Sequence, residues 1–228
     1  MKMRLSSWST LPILALVAGS LQAYAGSIQI GSSAGLSPTD TTLTFSGVQS
    51  TNLGTPVAFS AGGNTLTFSN TNGFEVVQLG TTYFNSSFPN GTVILYGSGY
   101  FGSGGPATIS FSNPVGQVGL NVEEFADGPY TITFSAYDGA TLLGTYTASG
   151  SDPDGGYPSA LSFEGVSATG GDMITSLVLS DTNGDNLGLG PITYGAATAT
   201  PEPGTFGLLF TGLAGLGEMI RRRALRRS

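Results

Sequence analysis

Glu123 and Glu124 are the only adjacent carboxylates in the chain, and two carboxyls facing one bond are what glycoside hydrolysis requires. On a strand, neighbouring side chains point to opposite faces, so this pair cannot act together there; with Asp127 it could line a loop rim. Asp152-Pro153-Asp154-Gly155-Gly156 sets two carboxylates two residues apart in a loop, a spacing that suits the hard, oxygen-seeking ion Ca²⁺. The competing reading is a solvated acidic turn. Asp181-Thr182-Asn183-Gly184-Asp185-Asn186 copies the opening Asp-x-Asn-x-Asp of a calcium loop. It departs from the EF-hand pattern where Asn186 replaces the sixth-position Gly and Ile192 replaces the twelfth-position Glu. An Asn-Gly hairpin is the stronger reading there. For sugar, rings are the better surface: Tyr83, Phe84 and Phe88, then Tyr96, Tyr100 and Phe101, stand in Gly/Ser-rich stretches. Each ring offers a flat apolar face, and each Tyr adds a hydrogen-bonding tip. Packing into the core is the competing role. Tyr130, Tyr137, Tyr146 and Tyr157 are weaker candidates for the same platform.

Charge removes whole classes of function. All seven basic residues lie at the two ends: Lys2, Arg4, Arg221, Arg222, Arg223, Arg226 and Arg227. Of the 14 acidic residues, Glu202 and Glu218 lie near the C-terminus, which leaves twelve carboxylates and no Lys, Arg or His in residues 26–200. That body carries about −12, against −7 for the whole chain. It repels nucleic acid, which proteins hold chiefly through cationic contacts to phosphate, so no nucleic-acid partner is expected. Acidic polysaccharide and anionic lipid are repelled too, unless a divalent cation bridges them. Without His or Cys there is no usual general base, thiol nucleophile or common transition-metal ligand. Without Lys or Arg there is no Schiff base and no phosphate fork. Disulfide staples are ruled out as well, since the chain has no Cys.

The two ends explain where the basic residues went. Residues 1–25 read as a cleaved signal peptide: Lys2 and Arg4 form a basic region, Leu11 to Val17 an apolar run, and Ala23-Tyr24-Ala25 a small-x-small cleavage site. At the other end stand Pro201-Glu202-Pro203, an apolar stretch and five arginines. Gly204 to Ile220, at about 1.5 Å per residue, makes roughly 26 Å of helix, near the short limit for a bilayer core. Glu218 stands three and four residues before Arg221 and Arg222, helical spacing for pairing. The Arg block then holds its end in the cytoplasm. An amphipathic surface helix or a buried core helix is the alternative.

Pro-Glu-Pro, a Gly/Leu-rich span and an Arg cluster, in that order, resemble the PEP-CTERM sorting signal, also catalogued as the ice-binding protein C-terminal domain. The resemblance covers residues 201–228. It implies recognition by an exosortase, a membrane-embedded cysteine peptidase/transpeptidase, with cleavage near Pro201-Glu202-Pro203 and loss of the tail. It also implies a Gram-negative bacterium that makes extracellular polysaccharide. Glu218 is less apolar than most such spans carry. Thr/Ser-rich faces could suit ice, but the Thr spacing is too irregular for a lattice match, so the catalogue name is not read as an activity.

Between the ends, the apolar period is two. Leu43 and Phe45; Leu66 and Phe68; Ile109 and Phe111; Val118, Leu120 and Val122; and Ile132, Phe134 and Ala136 each alternate with small or polar residues. Each set predicts a strand with one face buried and the other, mostly hydroxyl-rich, in water. Residues 73–79, 93–96, 142–143 and 174–179 read as further strands, and 26–40 as a polar, Gly-rich lead-in. Gly62–Asn64, Pro89-Asn90-Gly91, Asp127-Gly128-Pro129, Asp138-Gly139 and Asn183-Gly184 supply turn chemistry. Roughly ten short strands predict an all-β antiparallel β-sandwich of jelly-roll type.

The runs Asn113–Leu120, Thr131–Tyr137 and Leu142-Leu143-Gly144 resemble the sandwich of many PEP-CTERM ectodomains, similar to galactose-binding-like carbohydrate modules. There the closing strand often carries an Asp, where Leu187–Tyr194 has Gly190; a role carried by that Asp is missing here.

The expected organisation is a signal peptide (1–25), a sandwich ectodomain (26–195), a linker (196–200) and a sorting signal (201–228) with a single transmembrane helix (204–220). The expected protein leaves through the Sec machinery and signal peptidase and is anchored briefly in the inner membrane. It then reaches the cell surface or the medium. Its expected role is non-catalytic association with exopolysaccharide, with Ca²⁺ as the one cofactor the spacings suit. A carboxylate-dependent glycan hydrolase and a purely structural surface protein are the alternatives.

Overall fold

Alternation of apolar and polar residues with so many Gly and Asn turns leaves the backbone one economical way to satisfy its hydrogen bonds, which is between strands. The computed structural model describes residues 26–30, 35–46, 52–79, 88–97, 105–124, 128–152, 162–182, 187–196 and Gly212. All described elements are strands: β1 (Gly26–Ile30), β2 (Thr41–Leu43), β3 (Asn52–Gly54), β4 (Val57–Ala61), β5 (Asn64–Ser69), β6 (Phe74–Gln78) and β7 (Val93–Gly97). Then follow β8 (Ala107–Val115), β9 (Gln117–Glu124), β10 (Gly128–Asp138), β11 (Thr141–Asp152), β12 (Ser162–Thr169), β13 (Ile174–Asp181) and β14 (Leu187–Gly195). They fall within one compact unit, Tyr24–Glu202. No described helix is long and apolar enough to cross a membrane; residues 1–25, 204–211 and 213–220 lie outside the described residues.

The strands form two antiparallel sheets. The eight-stranded sheet runs β1-β12-β9-β14-β7-β6-β3, with β2 also against β14, and the six-stranded sheet runs β11-β10-β13-β8-β5-β4. The chain passes from one sheet to the other between β8 and β9 at Gly116. That residue donates to Gly195 O (2.8 Å) and accepts from Ala168 N (2.8 Å), so the corner leaves its backbone satisfied. At the tip between β4 and β5, Gly62 and Gly63 both have positive φ (54° and 78°), as tight hairpins demand.

One residue per pair of each alternating strand points between the sheets. Val118, Leu120 and Val122 on β9 and Ile132, Phe134 and Ala136 on β10 are buried in one core, with Leu66, Phe68, Ile109 and Leu179. The expected lead-in at 26–40 is corrected in part: Gly26–Ile30 is a strand, paired residue by residue with β12 from Thr169 to Gly165. β14 lies inside the larger sheet. Its register against β9 slips between Leu189 and Ile192, a bulge that accommodates Pro191, which cannot donate to a ladder. The bulge also changes its far-side partner, from β7 at Gly188 and Leu189 to β2 at Ile192 to Tyr194.

Candidate functional site

The alternation of β9 sends Glu124 inward, in register with Leu187, and Glu123 outward, in register with Gly188. Both are buried, at 1 % and 3 % exposure. The outward face of β9 is covered too: a side chain at Gly119 would strike Phe163 and Leu36. The two carboxyls therefore share neither a face nor ready access to a polymer. A third buried acid, Glu164, lies opposite Leu120 on β12. No sequence signal marks it, because period two assigns positions without regard to charge.

Of the ring candidates, Tyr83, Phe84, Tyr100, Phe101 and Tyr157 lie outside the described residues; Phe88 and Tyr130 are buried in the packing, and of the two stronger ring clusters the described residue that is not fully buried is Tyr96. It stands on β7 between Glu75 of β6 and Gly188 of β14, and Gly188 stands beside Glu123. A transverse row Glu75–Tyr96–Gly188–Glu123 results, its two acids about 14 Å apart along the backbone at about 4.8 Å per strand. Tyr96 packs on a small second cluster of Val77, Leu79, Phe88 and Ile94. Phe88 fills the place of a side chain at Gly190, whose added Cβ would lie 2.5 Å from the ring and 3.2 Å from Asn121 O. The glycine where the resembled strand carries Asp is thus a packing requirement of this chain.

Of the calcium candidates, Asp152 closes β11 and Asp181 closes β13, while Asp154, Asn183 and Asp185 lie outside the described residues. Asp152 opposes Gly128, and Asp181 opposes Ile132 on the same strand. Four residues along and two strands across place the backbones of Asp152 and Asp181 about 16 Å apart, so these two acids do not stand side by side. Among the described residues no three acidic, His or Cys side chains gather.

The most extensive feature is the outward face of the six-stranded sheet. β11 presents Thr145, Thr147, Ser149 and Ser151; β10 presents Thr131, Thr133 and Ser135; β13 presents Ser176 and Ser180. Beyond them come Thr108, Ser110 and Ser112 of β8, Thr65, Thr67 and Ser69 of β5, and Ser60 of β4. Pro129, Tyr137, Leu142, Val178 and Ala58 are among the residues that interrupt the pattern, and no outward position along these strands is charged. Hydroxyls meet across strands: Thr131 with Ser149 (3.0 Å), Ser135 with Thr145 (3.2 Å) and Ser60 with Thr65 (2.8 Å). Such cross-strand pairs hold the face in register. The hydroxyl alternation of β5, β8 and β10 was legible in the sequence; its pooling on one face with β4, β11 and β13 depends on strand order.

A cleft of about 290 Å³ lies at the end of the sandwich where β4 turns into β5 and β14 ends, lined by Thr41, Gly62, Asn64, Asn113, Pro114 and Tyr194 among others. Much of its polar lining is engaged internally. Asn64 donates to Asn113 O (2.7 Å) and accepts from Asn113 N (3.0 Å) and Ser112 Oγ (2.8 Å). Tyr194 donates to Ala61 O at 2.6 Å. Burial pushes the Tyr194 phenol above its ordinary value. The fold therefore keeps a proton that the unfolded chain releases above about pH 10. This contribution is complete below that pH and is lost as pH climbs through the folded value. Tyr194→Phe is expected to cost about 1 kcal/mol at neutral pH for the lost bond and to soften the alkaline fall. Urea midpoints at neutral and alkaline pH check this; an equally steep alkaline fall in the variant would overturn it.

No family model and no curated protein matches the chain.

Proposed function

We propose that the chain is an exported surface or matrix protein of a Gram-negative bacterium, sorted by an exosortase and associated non-catalytically with exopolysaccharide. The observation that carries this reading is the charge layout. An acid-only body of residues 26–200 stands between a basic N-terminal signal and a Pro-Glu-Pro, apolar and Arg-rich tail. Supporting it are the uncharged hydroxyl face, which suits contact with neutral glycan, and acidic loops through which Ca²⁺ would bridge acidic glycan. The finer architecture we assign is a jelly-roll, galactose-binding-like sandwich.

The test is the full-length chain made in a host that carries an exosortase. The surface form is expected to lack residues 1–25 and everything beyond the Pro201–Pro203 region by intact mass. It should also co-sediment with the host polysaccharide without creating new reducing ends. A surface form that keeps its arginines would overturn the sorting; new reducing ends would favour the hydrolase. Calcium is tested by melting with and without chelator: an ion at about 100 times its dissociation constant adds about 2.7 kcal/mol. An unchanged melt removes the ion.

A further inference from the structure

We propose that removal of residues 1–25 completes the fold: the new α-ammonium of Gly26 docks between Leu143 O, Thr169 Oγ1 and the Asp172 carboxylate, and so pins β1. The inference rests on the export reading above, with the cut after Ala25. Water adds across the Ala25–Gly26 peptide bond, leaving a carboxylate on Ala25 and an amine on Gly26 that takes up a proton. No second amine competes with it, because residues 26–200 contain no Lys, Arg or His. It is the one cation of a body that carries twelve carboxylates.

Three elements build the corner that receives it. The first described strand begins at Gly26, the residue that the cut exposes. β1 runs antiparallel to β12 with Gly26 opposite Thr169, so its amino end faces the turn that follows β12. There Gly170 and Gly171 reverse the chain with positive φ, and Asp172 N donates to Thr169 O (3.2 Å). This brings Asp172 back toward the end of β1, its Oδ2 buried without a hydrogen-bond partner. From the other side comes β11. Its register against β10 skips Leu143, between Leu142 opposite Tyr137 and Gly144 opposite Ala136, a bulge that leaves the extra residue out of the ladder. The Leu143 carbonyl lies 3.5 Å from the Cβ position of Gly26, and Thr169 Oγ1 lies 4.0 Å from it. Cβ and N of one residue stand about 2.5 Å apart, so the Gly26 nitrogen is within about 6.5 Å of each.

An ammonium has three donors, and the corner offers a carbonyl, a hydroxyl and a carboxylate. A peptide nitrogen at Gly26 is neutral and carries one donor; only the cut supplies the charge and the two further donors. The other titratable groups on the elements packed here are Tyr146 and Asp152 of β11, Glu164 of β12 and Asp138 before the β10–β11 turn. Glu164 lies past the far end of β1, since Ile30 already opposes Gly165, and Asp152 is at the far end of β11 from Leu143. Asp172 and Asp138 are thus the acids at this end of the sandwich among the described residues, and Asp172 is the one on the turn that the amine faces.

The test uses the chain exported by its host, intact mass first establishing that it begins at Gly26. Its one amine is then acetylated with an activated ester at pH 7, and the rate is followed by mass. The folded chain is expected to label about tenfold more slowly than the same chain in urea, as follows if folding holds the proton one pH unit more tightly than the ordinary value near 8. Asp172→Asn should restore most of the rate with circular dichroism unchanged, whereas Asp138→Asn should not. Chain acetylated in urea and refolded should melt below the untreated chain at pH 7. That gap should close as pH rises through the amine's folded value, where the docked charge is lost. Folded chain that labels as fast as unfolded chain would overturn the proposal, as would slow labelling that survives Asp172→Asn or equal recovery by both variants. Each of these leaves the export reading standing; a mass that still includes residues 1–25 would end both.

Discussion

Alanine at Phe68 is expected to leave the sandwich largely unfolded. Phe68, fully buried on β5, is the hub of a ring cluster with centroids 5.8 Å from Phe45, 5.8 Å from Phe59 and 6.3 Å from Phe74, all edge-on. Phe59 belongs to the six-stranded sheet, Phe74 to the eight-stranded one, and Phe45 follows β2 of the latter, so the cluster joins the layers. Truncating a buried Phe costs about 3–5 kcal/mol, and each lost ring pair can add about 0.5–1.5 kcal/mol. A domain has about 5–15 kcal/mol in total, and this one has no disulfide to limit its unfolded state. Denaturant midpoints of the wild type, Phe68→Leu and Phe68→Ala should fall in that order. A loss below about 1 kcal/mol for alanine would mean the site collapses around the void, and the hub role would be wrong.

That cluster shows what the sequence could reveal. Leu66 and Phe68, Ile109 and Phe111, and Ile132, Phe134 and Ala136 are buried as their alternation predicted, because alternation is a local property of an extended chain. β12 was missed for the same reason: its inward positions include Glu164, Val166 and Ala168, of which only valine reads as core. β11 was legible only at Leu142 and Leu143, since a strand at the rim can be built from Thr, Ser and Gly. β1 escaped because Gly26–Ile30 is too short to establish a period.

For the candidate site, the opposed faces of Glu123 and Glu124 followed from adjacency alone. Their shared burial did not, because covering the outer face of the larger sheet takes distant partners such as Leu36 and Phe163 on Gly119. The separation of Asp152 from Asp181 is set by register along β10, which no single segment encodes. The hydroxyl face likewise needed strand order: β5, β8, β13 and β10 are neighbours in space and not in sequence.

Ending the chain after Thr200 is expected to shift the protein from the cell envelope to the medium. Two forces are proposed to hold the full chain before processing: the apolar run Gly204–Ile220 in lipid, and Arg221, Arg222, Arg223, Arg226 and Arg227 behind it. Carrying one Arg to the centre of a bilayer costs about 2.5–3.5 kcal/mol, so five resist on the order of 15 kcal/mol. Nothing in residues 26–200 replaces that grip, since the body has no cation to attract anionic headgroups and its carboxylates are repelled by them. Fractionation should therefore find the trimmed chain mostly outside the cells. Alanine at Pro201, Glu202 and Pro203 separates anchoring from sorting: with the span and arginines intact, the chain should accumulate in the membrane with its tail uncut. Envelope retention of the trimmed chain equal to that of the full chain would end the case for this tail as the anchor.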